Sequence, residues 1–310
     1  MVSGRRRALV LVVLALVLAA VGVQLVRGWP PAWPWTSAPD PRADPPAAGE
    51  PYPGWNTRPA VRLAVAGDVG TGGAAARATG AAMDRLEESG EFDAVLLLGD
   101  NIYPDGDVAA VQSAVFEPFG PVLDGGTDLL AVLGNHDVRT DDGEPQLAAL
   151  GMPDRWYHVR IGPVELIMLD STRVEDPEQL AWLERTLAAA AADGVRWTVV
   201  AQHHPPRSAG RHGSHQPSRR LLVPLFERFG VDLVLAGHDH DYQRSIPQDG
   251  IVYVVSGGAA TLRPTGREPF TAASASVYHF VELAAFDDRL ELRAVDQQGR
   301  VFDRWTTAAP

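Results

Sequence analysis

Apolar runs of strand length alternate with stretches that suit a helix along the chain from Val61 onward. The run VRLAVAG at 61–67 precedes a helix-compatible stretch at 74–89, and FDAVLLLG at 92–99 precedes another at 108–119. Runs without a polar face are typical of strands covered on both sides, as in βαβ units. The pattern therefore predicts an α/β fold. Further runs of this kind are TDLLAVLG (127–134), WYHVRIG (156–162), VELIMLD (164–170), WTVVAQ (197–202), VDLVLAG (231–237) and GIVYVVSG (250–257).

The C-terminal half carries two further signals. A helix is predicted from Pro177 to Ala192, because proline suits its first turn and Gly194 lies just past its end. The stretch from Val277 to Thr306 alternates between apolar and polar residues, as antiparallel strands do. Together these patterns predict a single catalytic domain over residues 60–307.

The N-terminal segment, residues 1–27, reads as a membrane anchor. Three arginines at 5–7 precede an uncharged apolar run at 8–26, and Arg27 follows it. A helix of this length comes close to spanning a hydrocarbon core of about 30 Å. The leading arginines favour a cytoplasmic start, so that the rest of the chain lies outside the cell membrane. The alternative is a signal peptide that is cleaved, which releases a secreted protein.

Residues 28–59 are predicted to be a linker between the anchor and the domain. Proline is frequent there, and it removes amide donors and fixes φ, so neither helix nor sheet is expected. Trp29, Trp33 and Trp35 directly follow the apolar run. Their position fits the aromatic belt of a lipid–water interface.

Composition narrows the chemistry further. The formal net charge is −12, which disfavours nucleic acids and anionic membrane surfaces as partners. The chain has no cysteine, so thiolate ligands and disulfides are excluded. Any metal site must therefore be built from histidine, carboxylate, amide or phenol groups.

Five of the apolar runs end in side chains that coordinate metals or move protons. In open α/β sheets, ligands bind beyond the carboxyl ends of the strands, so these five ends should converge. Taken singly, each residue is explained as well by turn formation or packing, and only their order and co-occurrence favour a site. The residues are Asp68, Asp100 with Tyr103, Asn135 with His136, His203 with His204, and His238 with His240.

This set offers more ligands than one ion can use. Its mixture of oxygen and nitrogen donors suits first-row ions such as iron, zinc or manganese. Two such ions about 3.5–4 Å apart can clamp the attacking and leaving oxygens of a displacement at phosphorus. Asp100, in the middle of the set, is the natural bridge between them. His238 and His240 are one residue apart on an extended segment, so both can face the ions while Asp239 points away.

The short motifs that contain these residues resemble those of a known family. GD-x-G at 67–70, GD-x-x-Y at 99–103, GNH-D at 134–137, V-x-x-H at 200–203 and GH-x-H at 237–240 resemble the purple acid phosphatases within the calcineurin-like metallophosphoesterases. The resemblance implies a small, single-domain member with a four-layer αββα sandwich of two mixed sheets. It also implies a metal-dependent phosphoric ester hydrolase.

One position marks the subgroup. General metallophosphoesterases carry a ligand histidine where this chain has Gly70, and Tyr103 replaces that ligand. In the resembling family a tyrosinate holds ferric iron and gives the purple colour. The implied ferric site is Asp68, Asp100, Tyr103 and His240, and the implied site for Fe²⁺, Zn²⁺ or Mn²⁺ is Asp100, Asn135, His203 and His238.

The resemblance also assigns the catalytic groups. Attack of a metal-bound hydroxide on phosphorus is expected, with His136 facing the phosphate as a positive group or general acid. His212 resembles the substrate histidine of the mammalian-type enzymes, and His215 in the same loop is a further candidate. His204 either contacts phosphate or supports His203. His158 and His279 lie inside strand-like runs and are expected to be structural.

The expected function is hydrolysis of phosphate monoesters by an acid phosphatase. The first alternative is a phosphodiesterase that acts on nucleotides or lipid-like esters with the same two-metal core. A non-catalytic surface-binding module is the second alternative, and it predicts that at least one ligand is missing. The expected partners are a small phosphate ester and, through the N-terminal helix, the membrane.

Overall fold

The apolar runs form strands that assemble into two seven-stranded sheets. A computed structural model describes residues 49–87 and 89–308. The first sheet has the order β1-β14-β13-β12-β2-β3-β4 and contains β1 Glu50–Pro51, β2 Val61–Ala66, β3 Ala94–Leu97, β4 Asp128–Ala131, β12 His279–Ala285, β13 Arg289–Asp296 and β14 Arg300–Ala308. The second has the order β11-β9-β10-β8-β7-β6-β5 and contains β5 Tyr157–Ile161, β6 Val164–Met168, β7 Trp197–Ala201, β8 Leu233–Ala236, β9 Tyr242–Ser245, β10 Val252–Ser256 and β11 Thr271–Ala275.

Both sheets are mixed, as the resemblance implies. In the first sheet β2, β3 and β4 are parallel, and β12 joins β2 in the antiparallel sense. In the second sheet β6, β7, β8 and β10 run parallel, while β5 and β9 are antiparallel to their neighbours. The five strands that carry candidate ligands, β2, β3, β4, β7 and β8, all belong to these parallel groups. Their carboxyl ends can therefore supply one site.

Helices cover the outer side of the second sheet, and both sheets share one core. Leu166 and Met168 of β6 belong to a core cluster that also includes Leu63 of β2. The alternate residue Ile167 belongs to a second cluster with Leu183, from the long predicted helix. The helices are α1 Ala74–Glu87, α2 Glu117–Leu123, α3 Glu144–Ala149, α4 Pro177–Ala192, α5 Gln216–Leu221 and α6 Val223–Phe229.

The helix predicted over 108–119 is only partly formed. The segment contains a 3₁₀ turn at Val108–Ala110 and a π turn at Gln112–Phe116, and a regular helix begins at Glu117. Pro118 has no N–H, so the Ala114 carbonyl lacks the donor that an α-helix needs. In addition, the Glu117 N–H bonds to the carbonyl of Gln112, five residues back, and not to that of Ser113 as in an α-helix. The local backbone is therefore wider than the sequence pattern predicts.

The linker prediction is wrong at its C-terminal end. Residues 50–51 form β1, with Glu50 opposite Val301 and Pro51 opposite Arg300. This strand lies at the edge of its sheet, where a proline is tolerated. The predicted anchor at 8–26 lies outside the described residues. Within 49–87 and 89–308, no helix is long and apolar enough to cross a membrane.

A buried carboxylate fastens this N-terminal segment to the domain. Glu282 is fully buried, and its Oε1 accepts hydrogen bonds from the Tyr52 hydroxyl at 2.9 Å and from Trp55 Nε1 at 2.9 Å. Arg62 Nε lies 2.5 Å from the same oxygen. The Arg293 guanidinium stacks on the Trp55 ring, with its carbon 3.3 Å from the ring centroid. The network joins β2, β12 and β13 to residues 52–55.

Replacing Glu282 by Gln should lower the free energy of unfolding by about 3 kcal/mol, because the buried Arg62 guanidinium then lacks its counter-charge. Urea denaturation of the purified protein measures the change. Glu50→Gln is the matched control, since its ion pair with Arg304 is exposed and should contribute far less. Equal losses in the two variants would contradict this account of the segment.

Candidate active site

Three of the candidate ligands occupy turns with left-handed backbone geometry. Asp68, Asp100 and His238 have φ values of 57°, 51° and 72°. Such values are uncommon for residues other than glycine, and they cluster at functional sites where the surrounding structure holds them. Each of the three residues directly follows a glycine that lies one or two residues beyond a strand end. The chain therefore turns sharply as it leaves β2, β3 and β8 and aims these side chains across the strand ends.

Glycine lets the turns approach one another. A Cβ on Gly237 would lie 2.7 Å from the Asp68 Oδ2 atom, and one on Gly134 would overlap the Asp100 backbone. The Asp68 carboxylate can then accept a hydrogen bond from the His238 N–H at 2.8 Å. The Asp100 Oδ1 atom accepts one from the His136 N–H at 2.8 Å. Because glycine has no side chain at these strand ends, the backbone N–H groups of His136 and His238 can reach the two carboxylates.

Four side chains form the first ligand set. The Tyr103 hydroxyl lies 3.2 Å from Asp68 Oδ1, 3.0 Å from Asp100 Oδ2 and 3.2 Å from His240 Nε2. His240 Nε2 is in turn 3.3 Å from Asp68 Oδ1. The Tyr103 oxygen therefore lies within 3.2 Å of a donor atom of each of the other three side chains. These are the four residues implied for the ferric site.

The second set lies on the other side of Asp100. His203 Nε2 is 3.4 Å from Asp100 Oδ1, 3.1 Å from Asn135 Oδ1 and 3.3 Å from His238 Nδ1. Asp100 therefore presents Oδ2 to the first set and Oδ1 to the second. This is the geometry expected of a carboxylate shared by two ions.

Hydrogen bonds orient two of the imidazoles. His203 Nδ1 lies 2.8 Å from the Leu98 carbonyl oxygen, and His240 Nδ1 lies 2.5 Å from the Thr261 hydroxyl. Metal-binding histidines are commonly held in this way by a partner on the nitrogen that does not bind the ion. In both residues the Nε2 atom faces the other ligands. The rings are thus positioned before any ion is bound.

The pKa values of the first set are shifted in ways that a bound cation would reverse or exploit. Burial and the negative charge of Asp100 raise the pKa of Asp68 to about 8. Burial and the two carboxylates raise the pKa of the Tyr103 phenol far above its usual range. Burial and the charge of Arg263 lower the pKa of His240 to about 4. A metal ion favours ionised carboxylates, a phenolate and neutral imidazoles, so the donor set fits metal ions well.

The backbone around Gly70 leaves no room for a side chain at that position. A Cβ on Gly70 would lie 2.5 Å from the Ile102 nitrogen, in the turn that carries Tyr103. The Tyr103 N–H also donates to the Gly70 carbonyl at 3.0 Å. A histidine at position 70 is therefore incompatible with this backbone.

Sequence reasoning missed the role of Asp137. Its buried carboxylate accepts hydrogen bonds from the N–H groups of Asn101 at 2.9 Å, Ile102 at 3.0 Å and Gly134 at 2.8 Å. These contacts lock the turn of Asp100 to the turn of Asn135. Its only signal in the sequence is its place at the end of the GNH-D phrase.

His136 and His212 both reach the rim of the site. His136 Nε2 lies 3.9 Å from Asp100 Oδ2, and its ring centroid lies 4.6 Å from that of Tyr103. The ring of His212 lies 4.3 Å from the ring of His238. The loop of His212 is held by Asp239, whose Oδ1 accepts the His212 N–H at 2.8 Å. Asp239 therefore points away from the ligands, as the sequence predicts.

His204 and His215 form the wall next to the second set. The His204 ring lies 4.5 Å from the His238 ring and stacks on His215 at 4.7 Å. Ser171 Oγ lies 2.9 Å from His204 Nδ1 and accepts the His204 N–H at 2.8 Å. His215 Nδ1 lies 2.8 Å from the Ser218 hydroxyl. His215 is therefore one ring further from the ligands than His204.

His158 and His279 are engaged in structural contacts, as expected. His158 is half exposed and pairs with Glu165 across β5 and β6. His279 is fully buried, and its Nε2 lies 3.1 Å from the Ser256 hydroxyl.

Comparison with known proteins identifies the family. Residues 61–242 match the calcineurin-like phosphoesterase family. The chain is 30% identical to tartrate-resistant acid phosphatase type 5 of Homo sapiens over 210 residues, which cover 56% of this chain and 63% of that protein. It is 30% identical to purple acid phosphatase 4 of Arabidopsis thaliana over 210 residues, 57% of this chain and 61% of that protein. The matches thus span about three fifths of these relatives.

Solved structures share the fold at lower identity. Purple acid phosphatase PPD1 from yellow lupin aligns with a TM-score of 0.68 at 19% identity, over 80% of this chain and 53% of that one. GAP50, the anchor in the inner membrane complex of Plasmodium, aligns with a TM-score of 0.71 at 16% identity, over 81% and 89% of the two chains. At this identity the likeness concerns the fold alone. The family match covers more than half of the chain, and this protein belongs to the calcineurin-like phosphoesterase family.

Proposed function

We propose that the chain is a metal-dependent phosphatase that hydrolyses phosphate monoesters, as purple acid phosphatases do. One observation carries this proposal: seven side chains from five turns form two ligand sets that share Asp100. A non-catalytic surface-binding module predicts that at least one ligand is missing, and all seven candidate ligands are present. The similarity to acid phosphatases adds support.

Two metal ions would be held by the two sets. They supply charge neutralisation for the phosphoryl oxygens and a water of lowered pKa as the nucleophile. The phenol of Tyr103 supports ferric iron in the first set, because a phenolate is a hard oxygen donor that suits a highly charged ion. The amide and two imidazoles of the second set suit Fe²⁺, Zn²⁺ or Mn²⁺.

His136 is the best candidate for proton transfer to the leaving group. Its Nδ1 lies 2.5 Å from the Pro104 carbonyl oxygen, so this nitrogen carries a proton and donates it in a hydrogen bond. The other nitrogen, Nε2, faces the site near Asp100. Arg139 Nη2 lies 3.2 Å from the same Nε2, so protonation of Nε2 and proton delivery to an alkoxide or phenoxide require the guanidinium to turn away.

His204 contributes a neutral donor. Burial and the neighbouring imidazoles of His203 and His215 lower the pKa of His204 to about 2. The buried Ser171 hydroxyl accepts the backbone His204 N–H at 2.8 Å and lies 2.9 Å from the ring Nδ1. With Nδ1 engaged by Ser171, Nε2 is the ring nitrogen left to bond a phosphoryl oxygen. His212 and His215 complete the proposed substrate-binding wall.

The location of the domain is part of the same proposal. The uncharged run at 8–26 and the preceding arginines support a single-pass anchor with the domain outside the cytoplasm. The alternative is a secreted protein whose signal peptide has been removed.

Replacing His203 by Ala should remove one ligand of the second set. We expect turnover of 4-nitrophenyl phosphate to fall by at least about 100-fold, since loss of even an outer partner of a metal site costs 10–100-fold. His158→Ala is the matched histidine control and should retain both turnover and metal. Turnover and metal content are measured on the same samples. Undiminished turnover in His203→Ala would contradict the proposal, and faster cleavage of a diester than of a monoester would favour a phosphodiesterase.

Replacing Tyr103 by Phe tests the ferric assignment. The wild-type protein loaded with iron should absorb visible light through charge transfer from the phenolate, and the variant should lack this band because it lacks the phenol oxygen. Absorption spectra with iron analysis measure both. A visible band that persists in Tyr103→Phe, or wild-type protein that binds zinc only, would show the assignment to be wrong.

Fractionation of cells that produce the full chain tests the anchor. We expect the protein in the membrane fraction after alkaline extraction, with its domain cleaved by protease added outside the cells. Soluble protein in the medium that lacks residues 8–26 would establish the secreted alternative. A domain that is protected from external protease until the cells are lysed would rule out both the external membrane-anchored form and the secreted form.

A further inference from the structure

The segment that follows β8 holds the loop of His212 in place. This loop, residues 207–215, carries His212 of the proposed substrate-binding wall. The His212 N–H donates to Asp239 Oδ1 at 2.8 Å, and the Ala209 N–H donates to Gln243 Oε1 at 2.7 Å. The loop is therefore bonded to the same short segment that supplies two of the proposed metal ligands.

Asp239 is the central residue of this contact. It is buried, and it lies between His238 and His240 in the chain. Its Oδ2 atom accepts a hydrogen bond from the Ser208 hydroxyl. The Ser208 hydroxyl oxygen in turn accepts the Gly210 N–H at 2.9 Å. Both oxygens of the Asp239 carboxylate are thus engaged by the same loop.

The loop backbone lies directly against this carboxylate. A Cβ on Gly210 would be 2.6 Å from Asp239 Cγ and 2.8 Å from Gln243 Nε2, so only glycine fits there. Gln243 Nε2 also donates to the Ser208 hydroxyl at 3.0 Å. Because the two segments are in such close contact, the loop cannot keep this shape if the Asp239 side chain changes its position or its acceptors.

Burial does not hold His212, because this residue and the preceding Arg211 are exposed. The His212 ring lies 4.3 Å from the His238 ring, and its Nε2 contacts the Arg263 guanidinium. Neither contact fixes the backbone from which the ring extends. The hydrogen bond from the His212 N–H to Asp239 does so, and hydrogen bonds to a charged acceptor are among the stronger ones in proteins.

We propose that Asp239 is a positioning residue that sets His212 against the phosphate bound at the ligand sets. It does so by fastening the loop 207–215 to the segment of His238 and His240, and it touches neither the substrate nor the ions. This inference rests on the proposed function, because His212 can act on a phosphate only when the ligand sets bind one.

A double-mutant cycle on the metal-loaded protein tests whether Asp239 acts through His212. Asp239→Val removes both acceptor oxygens, and kcat/KM for 4-nitrophenyl phosphate should fall about tenfold, the value of one hydrogen bond to a charged group. The metal content should stay as in the wild type, because Asp239 is not a ligand. His212→Ala should lower kcat/KM about as much in the wild type and have no further effect in Asp239→Val. A purely structural role would make the two losses add.

Cleavage by trypsin after Arg211 reports on the loop without turnover. We expect Asp239→Val to be cleaved there at least about tenfold faster than the wild type, since the same hydrogen bond is lost. Asp239→Asn keeps an acceptor for the His212 N–H and should be intermediate. Asp232→Val is the matched control, because its half-buried carboxylate accepts the Thr198 N–H at 2.8 Å at the opposite end of β8. It should leave both cleavage after Arg211 and kcat/KM unchanged.

Ser208→Ala removes the loop side of the contact and leaves the ligand segment intact, so it tests the inference even if Asp239→Val does not fold. It too should accelerate cleavage after Arg211. Wild-type cleavage rates in Asp239→Asn and Ser208→Ala would overturn the inference, and so would additive losses in the cycle with His212→Ala. Failure of the proposed function has a different signature: no variant and no wild-type sample hydrolyses the ester, while the differences in cleavage after Arg211 persist.

Discussion

A single shared carboxylate governs the organisation of this protein. Asp100 directs Oδ2 towards Tyr103 at 3.0 Å and Oδ1 towards His203 at 3.4 Å, and it is almost fully buried. A second buried carboxylate, Asp68, lies in the same ligand set. Two buried negative charges this close are costly unless cations accompany them. Two carboxylates this close therefore favour a bound cation, and the candidate site fits a metal centre.

The fold places these side chains together by packing two sheets so that the carboxyl ends of their parallel strands meet. The first sheet supplies the turns of Asp68, Asp100 and Asn135, and the second supplies those of His203 and His238. Backbone contacts then lock turn to turn, for example from His238 N–H to Asp68 at 2.8 Å. Because these contacts cross between the sheets, the site depends on the packing of both. This explains why fully buried apolar side chains from both sheets form one continuous core beneath it.

The sequence predicts the strands well and singles out the side chains that the fold brings together, because both are local signals. A buried strand is apolar at consecutive positions, and a metal ligand is a distinctive residue type at a strand end. What remained hidden arises from contacts between distant segments. The Asp137 carboxylate accepts hydrogen bonds from the backbone N–H groups of Asn101 and Gly134. No sequence pattern predicts which backbone groups a carboxylate will contact. Likewise, the pairing of residues 50–51 with β14 spans most of the chain.

The most direct test of the shared-carboxylate account is to locate the ions themselves. Anomalous diffraction from crystals of the metal-loaded protein, collected at the iron and zinc absorption edges, gives the number and position of the ions. The account predicts two peaks about 3.5–4 Å apart, with Asp100 between them and Tyr103 beside only one. A single peak, or two peaks too far apart for Asp100 to contact both, would contradict it.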